Sequence, residues 1–301
     1  MFAAGLWGFG FIAVVWSLEE LGPLQITFSR FLIGAFIGIV VQIPFRSRIE
    51  WKSAISLGFW IGFFLAGTLV LQTTGLQYTS ATKSGFITTL YVVMVPLFEA
   101  VYYRHKISLK LWGLVFLALL GTALIMRFEF TDLNKGDLMT LACAVLASLH
   151  IIWIGKVSAK SRHPFLLNTA QSLWAAIILL PFVEMAPWWD KMTSIASWSP
   201  KAIFGLFALG VGSTTLAFYL QVKAQAHLSP TVSSLLFLLE SPLAMIFAFF
   251  LLGESLSLME GSGALLIFAA AVLASLQESK RNESDQYLAS TKTLASQNSK
   301  E

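Results

Sequence analysis

The stretch "LLFLLESPLAMIFAFFLLGE" (235–254) is apolar almost throughout, yet Glu240 and Pro242 stand in its middle. A run of this length matches the hydrocarbon core of a bilayer, which a helix of about 20 apolar residues crosses. A carboxylate is costly at that depth and is kept where it faces protein or a water-filled cavity. Pro242 removes one i→i−4 bond and clashes with the carbonyl of Leu238, so the helix should bend there. The stretch therefore predicts a membrane-spanning helix with a kink and a polar spot near mid-membrane.

The rest of the chain reads the same way. Of 301 residues, 56% are hydrophobic and 12% charged, about half the charge of a soluble domain, and the mean hydropathy is +0.74. Spanning-length apolar runs recur at about 2–18, 24–44, 54–75, 82–103, 109–126, 137–156, 165–186, 201–222, 230–252 and 259–277. In lipid these must be helices, because the backbone finds no water there. The fold expected is an all-α polytopic membrane protein with ten transmembrane helices. The polar stretch 278–301 is expected to be a disordered tail. The opening "MFAAGLWGFGFIAVVWS" has no basic region or cleavage site, so it reads as a mature helix rather than a leader; a shortened N-terminus is expected. The single cysteine, Cys143, excludes an intramolecular disulfide and lies in an apolar run, where packing explains it.

Lys and Arg in the connections orient the chain. With the N-terminus in the cytoplasm, cytoplasmic segments hold 14 of them, including Arg46, Arg48, Lys52, Arg104, Lys106, Lys160 and Arg162. The other side holds 5: Lys83, Arg127, Lys135, Lys191 and Lys201. The bias puts both termini in the cytoplasm. The spread of the basic residues over many loops argues against a nucleic-acid partner. The outer loop 186–200 carries Trp188, Trp189 and Trp198, as an interfacial belt would.

The chain also repeats itself. "GPLQITFSRFLIGAF" (22–36) aligns with "HPFLLNTAQSLWAAI" (163–177), pairing Pro23 with Pro164 and Arg30 with Gln171. "LQTTGLQYTS" (71–80) aligns with "LQVKAQAHLS" (220–229), pairing Gln72 with Gln221, and farther on Pro96 pairs with Pro242. Each half then has five helices. An odd number inverts the second half, the layout from which many secondary transporters are built. The divisions are 1–126 and 137–277, with 278–301 as the tail.

Four stretches carry a family resemblance: "LWGFGFIAVVWS" (6–17), "ITFSRFLIGAF" (26–36), "YTSATKSGFITTLYVVMVPL" (78–97) and "LSPTVSSLLFLLESPLAMIFAFFLLGESLS" (228–257). In these the chain resembles the EamA family of the drug/metabolite transporter superfamily, over about residues 3–277. The family pattern has Glu directly before Pro, whereas Ser241 intervenes here, and the first repeat has "YRHKIS" (103–108) where the second has its distal Gly-Glu. The resemblance implies ten helices, two repeats and transport, often outward, of small organic solutes such as amino acids. Four-helix relatives use an embedded Glu in helix 1 for proton coupling; helix 1 here has no acid before Glu19, so that scheme does not carry over.

Depth sorts the ionisable residues. At about 1.5 Å per residue, Glu240 lies near the midplane, Arg30 nearer the outer end of its helix, and Glu99 within reach of the cytoplasmic interface. Glu240 is either a cavity-lining, proton-responsive group or a structural partner. It is the better depth match for Arg30, for which an ion pair would serve structure. Glu99 reads as a solvated helix end. His150, about one turn above the cytoplasmic end of helix 6, is either packed and hydrogen-bonded or part of a site. Gln72, Gln171 and Gln221 line a polar path or bond between helices. Trp7 is a cavity wall or plain packing. Pro96 and Pro242 are the expected helix breaks. Gly34/Gly38 and Gly58/Gly62 have the spacing of close helix packing.

No phosphate-binding Gly-rich loop, H-E-x-x-H or G-x-S-x-G motif occurs, so no direct ATP use, metal site, cofactor or catalytic residue is expected. The expected function is secondary transport of small organic metabolites, with export favoured, in a bacterial inner membrane. Its partners are a small-molecule substrate, the lipid bilayer and a proton or another coupling ion. The alternatives are a flippase for a polar lipid and an intramembrane enzyme on lipid-linked substrates.

The charge bias is tested by impermeant thiol labelling in cells. Ser47→Cys and Ser161→Cys should react only from the cytoplasm and Ser194→Cys only from outside. Reaction of position 47 from outside would reverse the orientation.

Overall fold

The computed structural model describes residues 1–44, 51–75, 78–79, 81–104, 106–125, 133–159, 161, 163–253 and 255–298, without the side chains of 81–83, 252 and 281–298. Ser47, Glu254 and the basic residues Arg46, Arg48, Arg127, Lys160, Arg162 and Lys300 lie outside it.

Every element is helical: α1 (Phe2–Ser17), α2 (Pro23–Gln42), α3 (Trp51–Gly75), α4 (Ala81–Thr89), α5 (Tyr91–Tyr103), α6 (Leu109–Ile125), α7 (Lys135–Ser158), α8 (Pro164–Leu179), α9 (Met185–Thr193), α10 (Pro200–Phe207), α11 (Phe218–Gln225), α12 (Pro230–Phe237), α13 (Glu240–Leu252) and α14 (Leu258–Asn298). A π-helical stretch, Ala208–Ala217, joins α10 to α11. Among the described residues, eight helical segments are long and apolar enough to cross a membrane, and α1 and α6 are shorter apolar helices. The protein is a polytopic helical membrane protein.

Prolines start α2, α8, α10 and α12, where the missing N–H has no helical partner to lose. Asn134 and Asp137 cap α7 reciprocally: Asp137 N donates to Asn134 Oδ1 (3.1 Å) and Asn134 N to Asp137 Oδ2 (2.8 Å). Small residues set the closest contacts. A Cβ on Gly62 would lie 2.6 Å from Trp174 Cβ, and one on Gly58 would meet Ala170, so α3 lies directly on α8. A Cβ on Gly121 would lie 2.6 Å from the carbonyl oxygen of Gly263, where α6 crosses α14.

Two spans are broken, and their parts correspond. Segments α4 and α12 begin at Ala81 and Pro230, the breaks fall at Leu90 and Leu238–Leu239, and left-handed residues Arg104 and Gly253 end α5 and α13. In this register Gln72 matches Gln221, but Pro96 and Pro242 fall about one turn apart. Pro242 does sit at a break: with no N–H at 242, the Leu238 carbonyl is taken by Ser241 N in a tighter turn (3.1 Å). Pro96 does not. It lies inside a continuous α5, while the break at Leu90 comes earlier. A single lost bond in a helix already under way is tolerated when neighbours pack around it.

Three other expectations change. The segment read as a disordered tail is helical through Asn298, continuing α14; it has no Gly or Pro after Gly263, and an already nucleated helix extends cheaply. Trp188 and Trp198 are buried, and only Trp189 is exposed as an interfacial residue would be. Trp188 plugs the bundle, donating Nε1–H to Ser29 Oγ (2.8 Å) and packing edge-on against Phe28. Glu99 is 4% exposed rather than solvated.

The crossing of α6 and α14 predicts a contrast between two glycines. A Cβ at Gly113 meets nothing within 4 Å. Gly121→Ala should lower the thermal midpoint, at a cost of about 1–3 kcal/mol, while Gly113→Ala stays neutral or gains up to about 1 kcal/mol. Equal midpoints would contradict the crossing.

Candidate functional site

A cavity of about 250 Å³ lies in the middle of the bundle. Trp7, Arg30, Gln72, His150, Gln221 and Glu240, distant in sequence, all line it. Gln171 does not; it stands behind His150, with Gln171 Oε1 3.2 Å from His150 Nε2. His150 sits inside α7, which runs from Lys135 to Ser158, and faces the cavity rather than the helix end. Tyr91, Thr88, Ser213 and Phe218 complete the polar and aromatic wall.

Arg30 projects from α2 toward the π-helical stretch. Its Nε donates to Thr214 Oγ1 (2.8 Å) and one Nη to Ser213 Oγ (2.6 Å), and its guanidinium lies 5.8 Å from the Phe31 ring centre. A guanidinium has five N–H donors, so three remain without a partner among the described residues. The π turn brings these hydroxyls into place. Thr215 Oγ1 donates to the carbonyl five residues back, Gly210 (2.8 Å), and Trp7 Nε1–H takes the Ser213 carbonyl (3.2 Å). Wide turns of this kind are rare overall and frequent at functional positions.

Glu240 opens α13 at mid-span, where a carboxylate gains from the positive end of the half-helix. It has no hydrogen-bond or ion-pair partner among the described residues. The α1 backbone passes close beside it: a Cβ on Gly8 would lie 2.9 Å from Ala244 N and 3.0 Å from Glu240 O. That approach explains the Gly after Trp7. Arg30 and Glu240 therefore share one cavity without pairing, and the structural ion pair considered from sequence does not form. Trp7 stacks edge-on against Phe218 and Phe237 at 5.2 and 5.3 Å, so it is both cavity wall and packing.

The lining extends to Val14, Leu69 and Gln72, near the ends of α1 and α3 at Ser17 and Gly75. The other end of the bundle is tied shut. Glu99 accepts from Thr231 N (2.8 Å) and Thr231 Oγ1, capping α12 from α5, and Glu278 accepts from Ser229 N (2.9 Å). Sequence reading missed Ser213, Thr214 and Asn168, since nothing in "GVGSTTLA" or "LLNTA" marks a π turn or its partners.

A family model described as the EamA-like transporter family matches residues 1–127 and 134–276. The chain belongs to this family. It is 29% identical over 272 residues to an uncharacterized transporter of Archaeoglobus fulgidus, covering 90% of this chain and 83% of that one. It is 23% identical to the uncharacterized inner membrane transporter YicL of Salmonella typhimurium, over 93% and 95% of the two chains. A solved crystal structure of another protein, 18% identical, superposes with a TM-score of 0.73 over 92% of this chain and 95% of that one, and so shares the fold. The protein is a membrane transporter of this family.

The unpaired charges predict additivity. Arg30→Gln and Glu240→Gln should each leave a folded protein, and the double variant's midpoint should be the sum of the single shifts within about 0.5 kcal/mol. Recovery of stability in the double variant would mean that the two side chains pair after all.

Proposed function

We propose that the protein is a secondary active exporter of small organic metabolites that carry both an anionic and a cationic group, amino acids among them. The observation that carries this reading is the pair Arg30 and Glu240, opposite in charge, facing one cavity and not joined to each other. A charge is costly within a bilayer, and a solute with matching groups offsets both. Arg30 offers N–H donors for a carboxylate; Glu240 accepts from an ammonium group. A proton or another coupling ion exchanges at Glu240 when the solute leaves. The protein does no bond-making chemistry in this reading.

Transport proceeds by alternating access between two inverted five-helix halves, residues 1–126 and 137–277. The two separate family matches and the corresponding breaks in α4–α5 and α12–α13 support the two halves. A cavity reaching toward one end, with the other held by Glu99 and Thr231, supports access from one side at a time. Orientation follows the basic residues, with both termini in the cytoplasm of a bacterial cell and the cavity reaching outward; the inner-membrane location of YicL supports that membrane.

Purified protein in liposomes tests the reading by counterflow against a panel of amino acids and related solutes. Wild type should accelerate exchange of at least one zwitterionic solute. Arg30→Gln should abolish it, and Glu240→Gln should abolish it or remove its dependence on pH. Unchanged exchange at every pH in a folded Glu240→Gln protein would overturn the assignment.

A further inference from the structure

Two chains of buried amides end at the cavity, and each is oriented by a backbone carbonyl, which only accepts. Asn168 meets the carbonyls of Thr214 and Thr215 at 3.4 and 3.0 Å, so Nδ2 faces them and Oδ1 points away. Oδ1 in turn lies 2.7 Å from Gln171, which must present Nε2 there. Gln171 is left with Oε1 toward His150 Nε2, at 3.2 Å. An oxygen at that place needs a donor, so Nε2 carries the imidazole proton. In the neutral ring Nδ1 is then a bare acceptor, and it has no partner among the described residues. The ring of Phe218 stands edge-on to the imidazole at 6.1 Å and holds its plane.

The second chain has the same logic. Gln225 Nε2 donates to the Ile151 carbonyl (2.9 Å), so Gln225 Oε1 accepts from Gln221 Nε2 (3.1 Å). Gln221, 2% exposed, is left with Oε1 buried and unpartnered. His150 and Gln221 both line the cavity. The bonding thus leaves an acceptor at the end of each chain, on two residues that line the cavity.

We propose that His150 Nδ1 and Gln221 Oε1 form a subsite for an N–H or O–H group of the transported solute, with Asn168, Gln171 and Gln225 as positioning residues. The solute as ligand rests on the transport reading above. A buried acceptor without a donor is costly. A solute bringing a donor removes that cost, while one methylated at the same nitrogen leaves both acceptors bare and binds more weakly. Glu240 attracts either cation; the two neutral acceptors tell them apart.

Solid-state NMR of the protein in bilayers, with ¹⁵N-histidine, reads the tautomer of each of its four histidines, and His150→Gln identifies the signal. Wild type should carry the proton on Nε2 with Nδ1 bare. Asn168→Leu and Gln171→Met should each lose that preference; the second is close in shape and guards against misfolding of the first. A proton on Nδ1 in wild type, or a tautomer unmoved in both variants, would overturn the relay. Counterflow then compares each exchanged amino acid with its N,N,N-trimethyl derivative. Gln225→Leu should raise the half-saturating concentration of the amino acid about fivefold and leave that of the trimethyl form unchanged; equal effects on both would overturn the subsite. If no amino acid exchanges, the transport reading fails, and the tautomer result alone upholds or overturns the relay.

Discussion

Arg30 must be solvated inside a helix bundle that offers little water, and much of the central architecture follows from that need. The hydroxyls of its own helix are engaged elsewhere, Thr27 with the Pro23 carbonyl and Ser29 with Trp188, so its partners come from the facing span: Ser213 and Thr214. A regular α-helix does not explain how that span also frees a carbonyl for Trp7 and two more for Asn168. The π-helical stretch does, because its wider turn displaces backbone groups toward the cavity. α2 comes near enough for these bonds because Gly34 faces Thr214 directly. Once Arg30 is held by neutral hydroxyls rather than by a carboxylate, its charge and that of Glu240 both remain available to a ligand.

The broken spans provide the second half of the design. Each break opens a half-helix near mid-span, and the first residue of each half-helix, Tyr91 in α5 and Glu240 in α13, lines the cavity. The outer parts of these spans are tied to different neighbours. Glu99 of α5 caps α12, joining the two broken spans at one end of the bundle. At the opposite end Thr79 Oγ1 donates to Asp137 (2.6 Å), joining the approach to α4 to the start of α7. Each tie links chain segments far apart in sequence through a carboxylate.

Much of the fold was legible because lipid leaves few options: apolar runs of spanning length must be helices, and ten such runs appear as the eight spanning segments and two shorter helices described. Six of the seven candidate polar and aromatic residues meet at the cavity for the same reason, since each is too polar, or in the case of Trp7 too near a polar carbonyl, to face lipid. What was not legible depends on which faces meet. Pro96 invited a break that the chain makes at Leu90, because packing around α5 tolerates the proline. Depth alone paired Arg30 with Glu240, yet Arg30 bonds Ser213 and Thr214 instead. Asn168 looked like any polar residue in "LLNTA"; its role arises only because a π turn exposes two carbonyls opposite it. The tail's polar composition hid its continuity with α14, whose first turns pack against α6.

The central claim is that a solute occupies this one cavity during transport. In a Cys143→Ala background, single cysteines placed at cavity-lining Thr68 and at exposed Phe116 can be alkylated with a small maleimide in liposomes, with and without a saturating concentration of a counterflowing solute. The solute should slow alkylation at position 68 severalfold and leave position 116 unchanged. Equal rates at position 68 with and without the solute, in protein that is exchanging it, would contradict the cavity as the transport path.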